Sequence, residues 1–336
     1  MKIAFFEREP WQSDYIKEQK FQKGVQIITS SEKLTHKNAN RIKDVDAICT
    51  FIYSKLDQSL LSTFKNLKFI CTMSTGFDHI DLEYCKKNKI MVFNVPTYGE
   101  NTVAEHTFAL ILTISRRIVD SVLRTRSGDY TFEGLKGFDL KGKTLGLIGC
   151  GHIGAHVAKM ARGFDMNVLV YDIKQDPLLA EKIGFKYVKD LDIVLKHSNI
   201  LSLHTPYNKF THHILNMKNI KKIKPGAVLI NTARGGLVET RALIFALKKG
   251  IVSYAGLDVL EEEKPLKDDL GLLAVRRLGK KISKTVLEEH VLLEQKNVYV
   301  TPHNAFNSPE AITRIMDTTI ENIRAFLKGK PINRVA

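Results

Sequence analysis

The chain has 336 residues, 44% of them hydrophobic and 26% charged, with a formal net charge of +15. That length suits two domains of ordinary size, and the composition is that of a globular protein. No run approaches the ~18 apolar residues of a membrane span. The basic excess is spread rather than clustered: the first hundred residues hold 15 basic and 12 acidic side chains, and residues 201–300 hold 17 and 10. Membrane and nucleic acid are therefore not expected partners, and the surplus lysine reads as a solvated surface that attracts anionic substrates.

The amino terminus, MKIAFFEREP, becomes charged at Glu7, too early for a signal peptide, and reads as a first strand. Short apolar runs follow it at Val25–Ile28, Ala47–Thr50, Phe69–Thr72 and Met91–Phe93, alternating with helical patterns over Trp11–Gln22, Thr35–Ile42, Asp57–Phe64 and Leu82–Asn88. Such alternation predicts a parallel sheet covered on both faces. Just after one strand comes Met73-Ser74-Thr75-Gly76-Phe77-Asp78. Small residues there expose backbone N–H groups that can hold a carboxylate, and a plain strand-to-helix turn fits equally. Val95-Pro96 breaks the pattern. Asn101–Arg117 then reads as a long helix, apolar on most sides and so buried.

The stretch KTLGLIGCGHIGAHVAKMARGFDMNVLVYD, residues 143–172, is the most informative. A strand, Thr144–Ile148, leads into Gly149, Gly151 and Gly154 in G-x-G-x-x-G spacing, then a helix, then a strand ending at Asp172. Gly149 suits a tight turn, Gly151 the close approach of a pyrophosphate, and Gly154 close helix–strand packing. The helix N-terminus offers N–H groups to phosphate. Asp172 can accept hydrogen bonds from a ribose hydroxyl and would repel a 2′-phosphate, which points to NAD.

Strands continue at Ile200–Leu203, Ala227–Asn231, Tyr254–Asp258 and Val298–Thr301, with helices over Asp176–Ile183, Asp190–His197, Met217–Lys222 and Glu239–Lys248. Residues 261–297 are charged and read as a surface excursion. Ser308-Pro309 starts the final helix, Ala311–Leu327. The four cysteines have no C-x-x-C or metal spacing and read as reduced thiols, and no metal site is expected. These features favour the cytoplasm.

Ligands of such sheets bind beyond the strands' carboxyl ends, where Arg234 in NTARGG, Glu263 in GLDVLEEEKP and His303 in TPHNAF stand. Singly, each has a bland reading: an ion-paired arginine, a solvated glutamate run, a structural histidine. Together they fit hydride transfer to a 2-keto acid. A protonated histidine donates to the carbonyl oxygen as charge builds on it. A carboxylate raises that histidine's pKa and fixes its tautomer. An arginine binds the substrate carboxylate. Glycines 235 and 236 would let cofactor and substrate come close. The other histidines, His106 and His213 among them, fall into no recognisable catalytic or metal spacing.

In order, MSTGFDHID, NVPTYGENTVAEH, LIGCGHIG ending at Asp172, SLHTP, INTARGG, GLDVLEEE and TPHNAF resemble the D-isomer-specific 2-hydroxyacid dehydrogenase family over nearly the whole chain. The resemblance implies two doubly wound parallel-sheet domains, Rossmann-like and flavodoxin-like, bilobal with a cleft. The substrate domain would comprise residues 1–100 and 305–336, and the NAD domain residues 101–304. It implies a homodimer and a small 2-keto or 2-hydroxy acid as partner. By position, Arg234 would bind substrate, His303 would be the acid/base and Glu263 its partner. Ser74, Thr75, Gly76 and Tyr98 would touch substrate. His152 and Ile153 would lie on the pyrophosphate, Thr205, Thr232 and Ala233 along the cofactor, and Asp258 would contact the nicotinamide carboxamide or tune the site. Within the family the chain is most similar to the D-lactate dehydrogenases, although its residues 264–297 look lengthened and basic. Phosphoglycerate dehydrogenases and the family's NAD(H)-sensing corepressors are the alternatives.

Overall fold

The computed structural model of the chain describes residues 1–262 and 284–336. It divides into two units, Met1–Tyr98 with Ser308–Ala336, and Gly99–Asn307.

The first unit is built on five strands: β1 (Lys2–Phe5), β2 (Gln26–Thr29), β3 (Ala47–Thr50), β4 (Phe69–Thr72) and β5 (Met91–Phe93). All neighbours pair in parallel, in the order β2-β1-β3-β4-β5. That is the flavodoxin-like winding. The central strands β3 and β4 are buried at every residue, which is why they read as continuous apolar runs rather than alternating ones. Its helices are α1 (Pro10–Glu18), α2 (His36–Ala39), α3 (Gln58–Leu61) and α4 (Leu82–Lys87), shorter than the sequence patterns suggest. Asp57 and Asp81 start the last two by accepting from the N–H groups of Leu60 and Tyr84. At the β1/β3 switch point the protein fills its own crevice. The Glu7 carboxylate accepts from the N–H groups of Tyr53 at 2.8 Å and Ser54 at 2.7 Å.

The second unit opens with α5 (Glu100–Ser115) and α6 (Ile118–Arg126). Nine residues of α5 are buried, as its all-round apolar pattern requires, whereas none of α6 is. Seven parallel strands follow: β6 (Thr144–Ile148), β7 (Asn167–Tyr171), β8 (Lys186–Val188), β9 (Ile200–Leu203), β10 (Ala227–Asn231), β11 (Val252–Leu257) and β12 (Val298–Val300). Their order is β12-β11-β10-β9-β6-β7-β8, so the winding reverses between β6 and β9. This is the Rossmann arrangement. The edge strand β8 has no sequence signal, because Lys-Tyr-Val is short and partly exposed. The helices that cover the sheet are α7 (His152–Gly163), α8 (Pro177–Ile183), α9 (Leu191–His197), α10 (Thr240–Lys248) and α11 (Lys284–Leu293). The helical pattern over Met217–Lys222 is realised only as a 3₁₀ turn at Ile220–Lys222. The last helix, α12 (Pro309–Leu327), returns to the first unit; Ser308 caps it by accepting from the N–H of Ala311.

All four cysteines are buried free thiols. Among the described residues no helix is long and apolar enough to cross a membrane.

Candidate active site

Across the seven-stranded sheet from β7 to β12, the segments leaving the carboxyl ends carry Asp172, Gly149–Gly151, His204–Thr205, Thr232–Arg234, Asp258 and Thr301–His303, in that order. Neighbouring strands lie about 4.8 Å apart, so β7 and β10 are separated by roughly 14 Å. Residues drawn from Gly149 to His303 of the sequence thus form one row along a single sheet edge.

The glycine loop stands at the switch point. Gly149 has φ +95°, and a Cβ there would lie 2.7 Å from Thr205 Cγ2 and 2.8 Å from the His204 carbonyl oxygen. A Cβ on Gly154 would lie 2.6 Å from the Gly149 oxygen, so the first turn of α7 presses on the loop. Gly151, the cap of α7, has nothing within 4 Å of that position. Its missing side chain leaves open space in front of the helix N-terminus, a position suited to a phosphate. His152 is exposed and Ile153 half-buried in the first helical turn. Asp172 is aimed by two backbone donors, Cys150 N–H at 2.6 Å to Oδ2 and Lys174 N–H at 2.8 Å to Oδ1. The Thr205 hydroxyl is buried with no hydrogen-bond partner among the described residues, a donor that a ligand in this crevice would satisfy. Beside it His204 receives or donates a bond with Ser202 at 2.8 Å, and burial lowers its pKa to about 4, so its ring stays neutral. The residues present fit a dinucleotide.

Asn231 builds the turn that carries Arg234. Buried at the end of β10, its amide donates to the Arg234 carbonyl at 2.9 Å and accepts from the Ala233 N–H at 3.1 Å. The Thr232 hydroxyl shares a bond of 2.9 Å with Thr107 of α5. The guanidinium of Arg234 is folded onto its own turn, Nη1 donating to the Ala233 carbonyl at 2.8 Å. The following glycines serve a different purpose from the one their position suggests. A Cβ on Gly235 would lie 1.9 Å from the Leu260 carbonyl oxygen, and one on Gly236 2.6 Å from the Tyr207 ring. They admit neighbouring chain rather than cofactor and substrate.

His303 sits in the left-handed region at φ +55°, which costs a residue with a Cβ roughly 1–2 kcal/mol. Asp258 supplies the restraint. Its side chain is fully buried; Oδ1 accepts from Thr301 Oγ1 at 2.5 Å and Asn304 N–H at 2.7 Å, and Oδ2 from Ala305 N–H at 2.8 Å. His106 of α5 completes the network, with Nε2 at 3.0 Å from Thr301 Oγ1 and 3.5 Å from Asp258 Oδ1. Burial alone would raise the Asp258 pKa. The bonds from His106, Thr301, Asn304 and Ala305 outweigh it and hold the carboxyl below its ordinary value. Asp258 thus braces the backbone on both sides of His303. Residue type alone does not mark His106, Thr301 and Asn231 in the sequence. The one available signal was a histidine on an otherwise apolar helix face.

Of the three consecutive glutamates, Glu261 is a structural residue. It meets His213 Nε2 at 2.6 Å and accepts from the Thr240 N–H and hydroxyl at 3.1 and 2.8 Å, which caps α10. Glu263 lies outside the described residues, as do residues 264–283 of the basic segment.

In the first unit, the hydroxyls of the 73–78 loop are turned onto the protein. Ser74 Oγ meets Thr72 Oγ1 at 2.6 Å and the Gly76 carbonyl at 2.7 Å, and Thr75 Oγ1 donates to the Val95 carbonyl at 2.8 Å. Tyr98 is half-buried, its carbonyl accepting from Arg314 Nε at 2.5 Å.

Asp172→Ser should remove the charge that opposes a 2′-phosphate. The ratio of kcat/KM with NADPH to that with NADH is expected to rise about tenfold or more. Steady-state kinetics with both cofactors reads it, and an unchanged ratio would deny Asp172 its place at the ribose.

Residues 108–305 match the family described as D-isomer specific 2-hydroxyacid dehydrogenase, NAD binding domain. A 2-hydroxyacid dehydrogenase homolog of Zymomonas mobilis is 35% identical over 98% of both chains. A glyoxylate reductase of Thermococcus litoralis is 37% identical over 86% of this chain and 83% of its own. The solved D-lactate dehydrogenase of Aquifex aeolicus, complexed with NAD and lactic acid, superposes with a TM-score of 0.85 at 37% identity, covering 98% of this chain and 96% of its own. The chain belongs to the D-isomer-specific 2-hydroxyacid dehydrogenase family and is an NAD-dependent enzyme of that class.

Proposed function

We propose that the enzyme reduces pyruvate to D-lactate. Bound NADH supplies the hydride. Arg234 takes the substrate carboxylate in its fork of donors and polarises the keto oxygen. His303 gives its proton to that oxygen as the alcohol forms, and takes it back in the reverse direction. Glu263 would be the partner that orients the imidazole. The single observation that carries this reading is the row of Arg234, Asp258 and His303 on adjacent strands beside the dinucleotide loop. In the 73–78 loop the Ser74 and Thr75 hydroxyls are engaged internally, so the contribution of Ser74, Thr75 and Gly76 falls to backbone N–H groups, which suit a carboxylate. Tyr98 would limit the size of the substrate's side chain. Thr205, Thr232 and Ala233 would line the cofactor, with His152 and Ile153 at its pyrophosphate.

Pyruvate is favoured by the likeness to the Aquifex lactate enzyme, which matches nearly the whole chain. The Thermococcus relative makes glyoxylate the competing substrate. Initial rates of NADH oxidation on pyruvate, glyoxylate, phenylpyruvate, a branched 2-keto acid, hydroxypyruvate and its phosphate test the choice. Pyruvate is expected to give the highest kcat/KM. Glyoxylate or a bulkier acid in first place would move the specificity while keeping the chemistry.

The protein is proposed to work as a homodimer. Ile118, Val119, Val122 and Leu123 of α6 are exposed, and Tyr130 and Phe132 just beyond it are 82% and 88% exposed. An apolar stripe of that extent suits self-association, and light scattering in solution should return twice the chain mass.

A further inference from the structure

Helix α11 carries a glutamate where an apolar residue belongs. Glu289 is fully buried. Its Oε1 accepts from the Glu262 N–H at 2.7 Å, while Oε2 is buried and has no hydrogen-bond partner among the described residues. A leucine would fill that space without desolvating a polar group, so the carboxyl calls for an explanation.

What it grips is the Leu260–Glu262 turn. On one side that turn is tied by Glu261 to His213 and to the start of α10. On another it lies against the backbone of Gly235, where even a Cβ has no room. Gly235 follows Arg234. A movement of the turn is therefore passed to the arginine's backbone, with no soft side chain between them to absorb it.

We propose that Glu289 is a positioning residue for Arg234: it locks the Leu260–Glu262 turn to α11, and the turn sets the Arg234–Gly235 backbone. This rests on the assignment of Arg234 to the substrate carboxylate. Of the elements in contact with α11, the turn brings Glu261 and Glu262, α10 brings Arg241 and Lys248, and β12 brings Tyr299; α11 itself carries Lys284, Glu288 and His290. Burial is the main cause that raises the Glu289 pKa, to about 7, and the charges of Glu262 and Glu261 add to it. Ionisation would then place a third carboxylate beside two others, and the turn would loosen as pH rises through neutrality.

The sign follows from linkage. A carboxyl whose pKa is raised from 4.5 to about 7 by folding contributes stability that is fully present below pH 4.5 and is lost as pH rises through 7. Glu289→Gln stays neutral at every pH and keeps an acceptor for the Glu262 N–H. Relative to the native chain, its Tm should therefore rise by on the order of 5 °C between pH 5 and pH 8.5. A gap that stays constant across that range overturns the proposal, whatever the substrate proves to be. Kinetics test the positioning. Glu289→Ala at pH 6 should raise KM for pyruvate about tenfold with KM for NADH within about twofold, and Glu289→Gln should restore the native value. At pH 8.5 Glu289→Gln should have a lower KM for pyruvate than the native enzyme. An unchanged KM in Glu289→Ala, or equal losses for both substrates, would show a merely structural residue. If no 2-keto acid is turned over at all, it is the assignment of Arg234 that fails, and the thermal series still reads Glu289.

Discussion

His303→Ala is expected to lower kcat/KM for the reduction of a 2-keto acid by about 10²–10⁴, the usual worth of a positioned general acid. The loss should fall on kcat, because the site proposed for NADH, the glycine loop and Asp172, lies elsewhere on the sheet edge. NADH affinity, followed by fluorescence titration, should stay within about threefold of the native value. His303→Gln keeps a donor but cannot carry the proton, and should be impaired about as much. Near-native turnover by either variant would remove His303 from the chemistry.

Asp258→Ala is expected to have an effect of comparable size by a different route. It leaves the N–H groups of Asn304 and Ala305, the Thr301 hydroxyl and His106 without their acceptor. A buried donor left unpaired costs about 1–3 kcal/mol, and several share this carboxylate, so a loss of roughly 3–5 kcal/mol in stability is expected. The left-handed conformation of His303 loses its restraint at the same time, and kcat should fall with it. Denaturant unfolding and steady-state kinetics check the two halves. The pH dependence has a definite sign: the Asp258 pKa is lowered in the folded protein, so its stabilisation is present above the ordinary carboxyl range and is lost as pH falls through the folded value. The native chain should lose stability on acidification more steeply than Asp258→Asn. Parallel acid profiles would show that the carboxylate bonds carry little energy.

Most of the fold is legible in the sequence for a simple reason. Central strands of a doubly wound sheet are buried on both faces, so Ala47–Thr50, Phe69–Thr72 and Ala227–Asn231 appear as unbroken apolar runs and coincide with strands in the structure. Edge elements are not written that way. Lys186–Val188 pairs on one side only and carries a lysine, and of the 217–222 segment only Ile220–Lys222 closes, as a 3₁₀ turn.

The candidate site is legible where residue type decides the chemistry and opaque where packing decides it. Gly149 and Gly154 follow from spacing, and the structure shows the contacts that forbid a side chain at each. Gly235 and Gly236 look alike in sequence, yet they answer to Leu260 and Tyr207, neighbours brought in from other strands. Asp258 carries the same carboxylate whether it faces a ligand or a loop; only the four donors converging on it distinguish the two. His106 is a lone histidine in an apolar helix until Thr301, 195 residues away, is beside it.

The most direct test of the account is the chirality of the product. The enzyme is incubated with pyruvate and NADH, and the lactate formed is resolved on a chiral column. D-lactate alone, in amounts equal to the NADH oxidised, is the predicted result. L-lactate, a racemic mixture, or NADH binding with no lactate formed would contradict it.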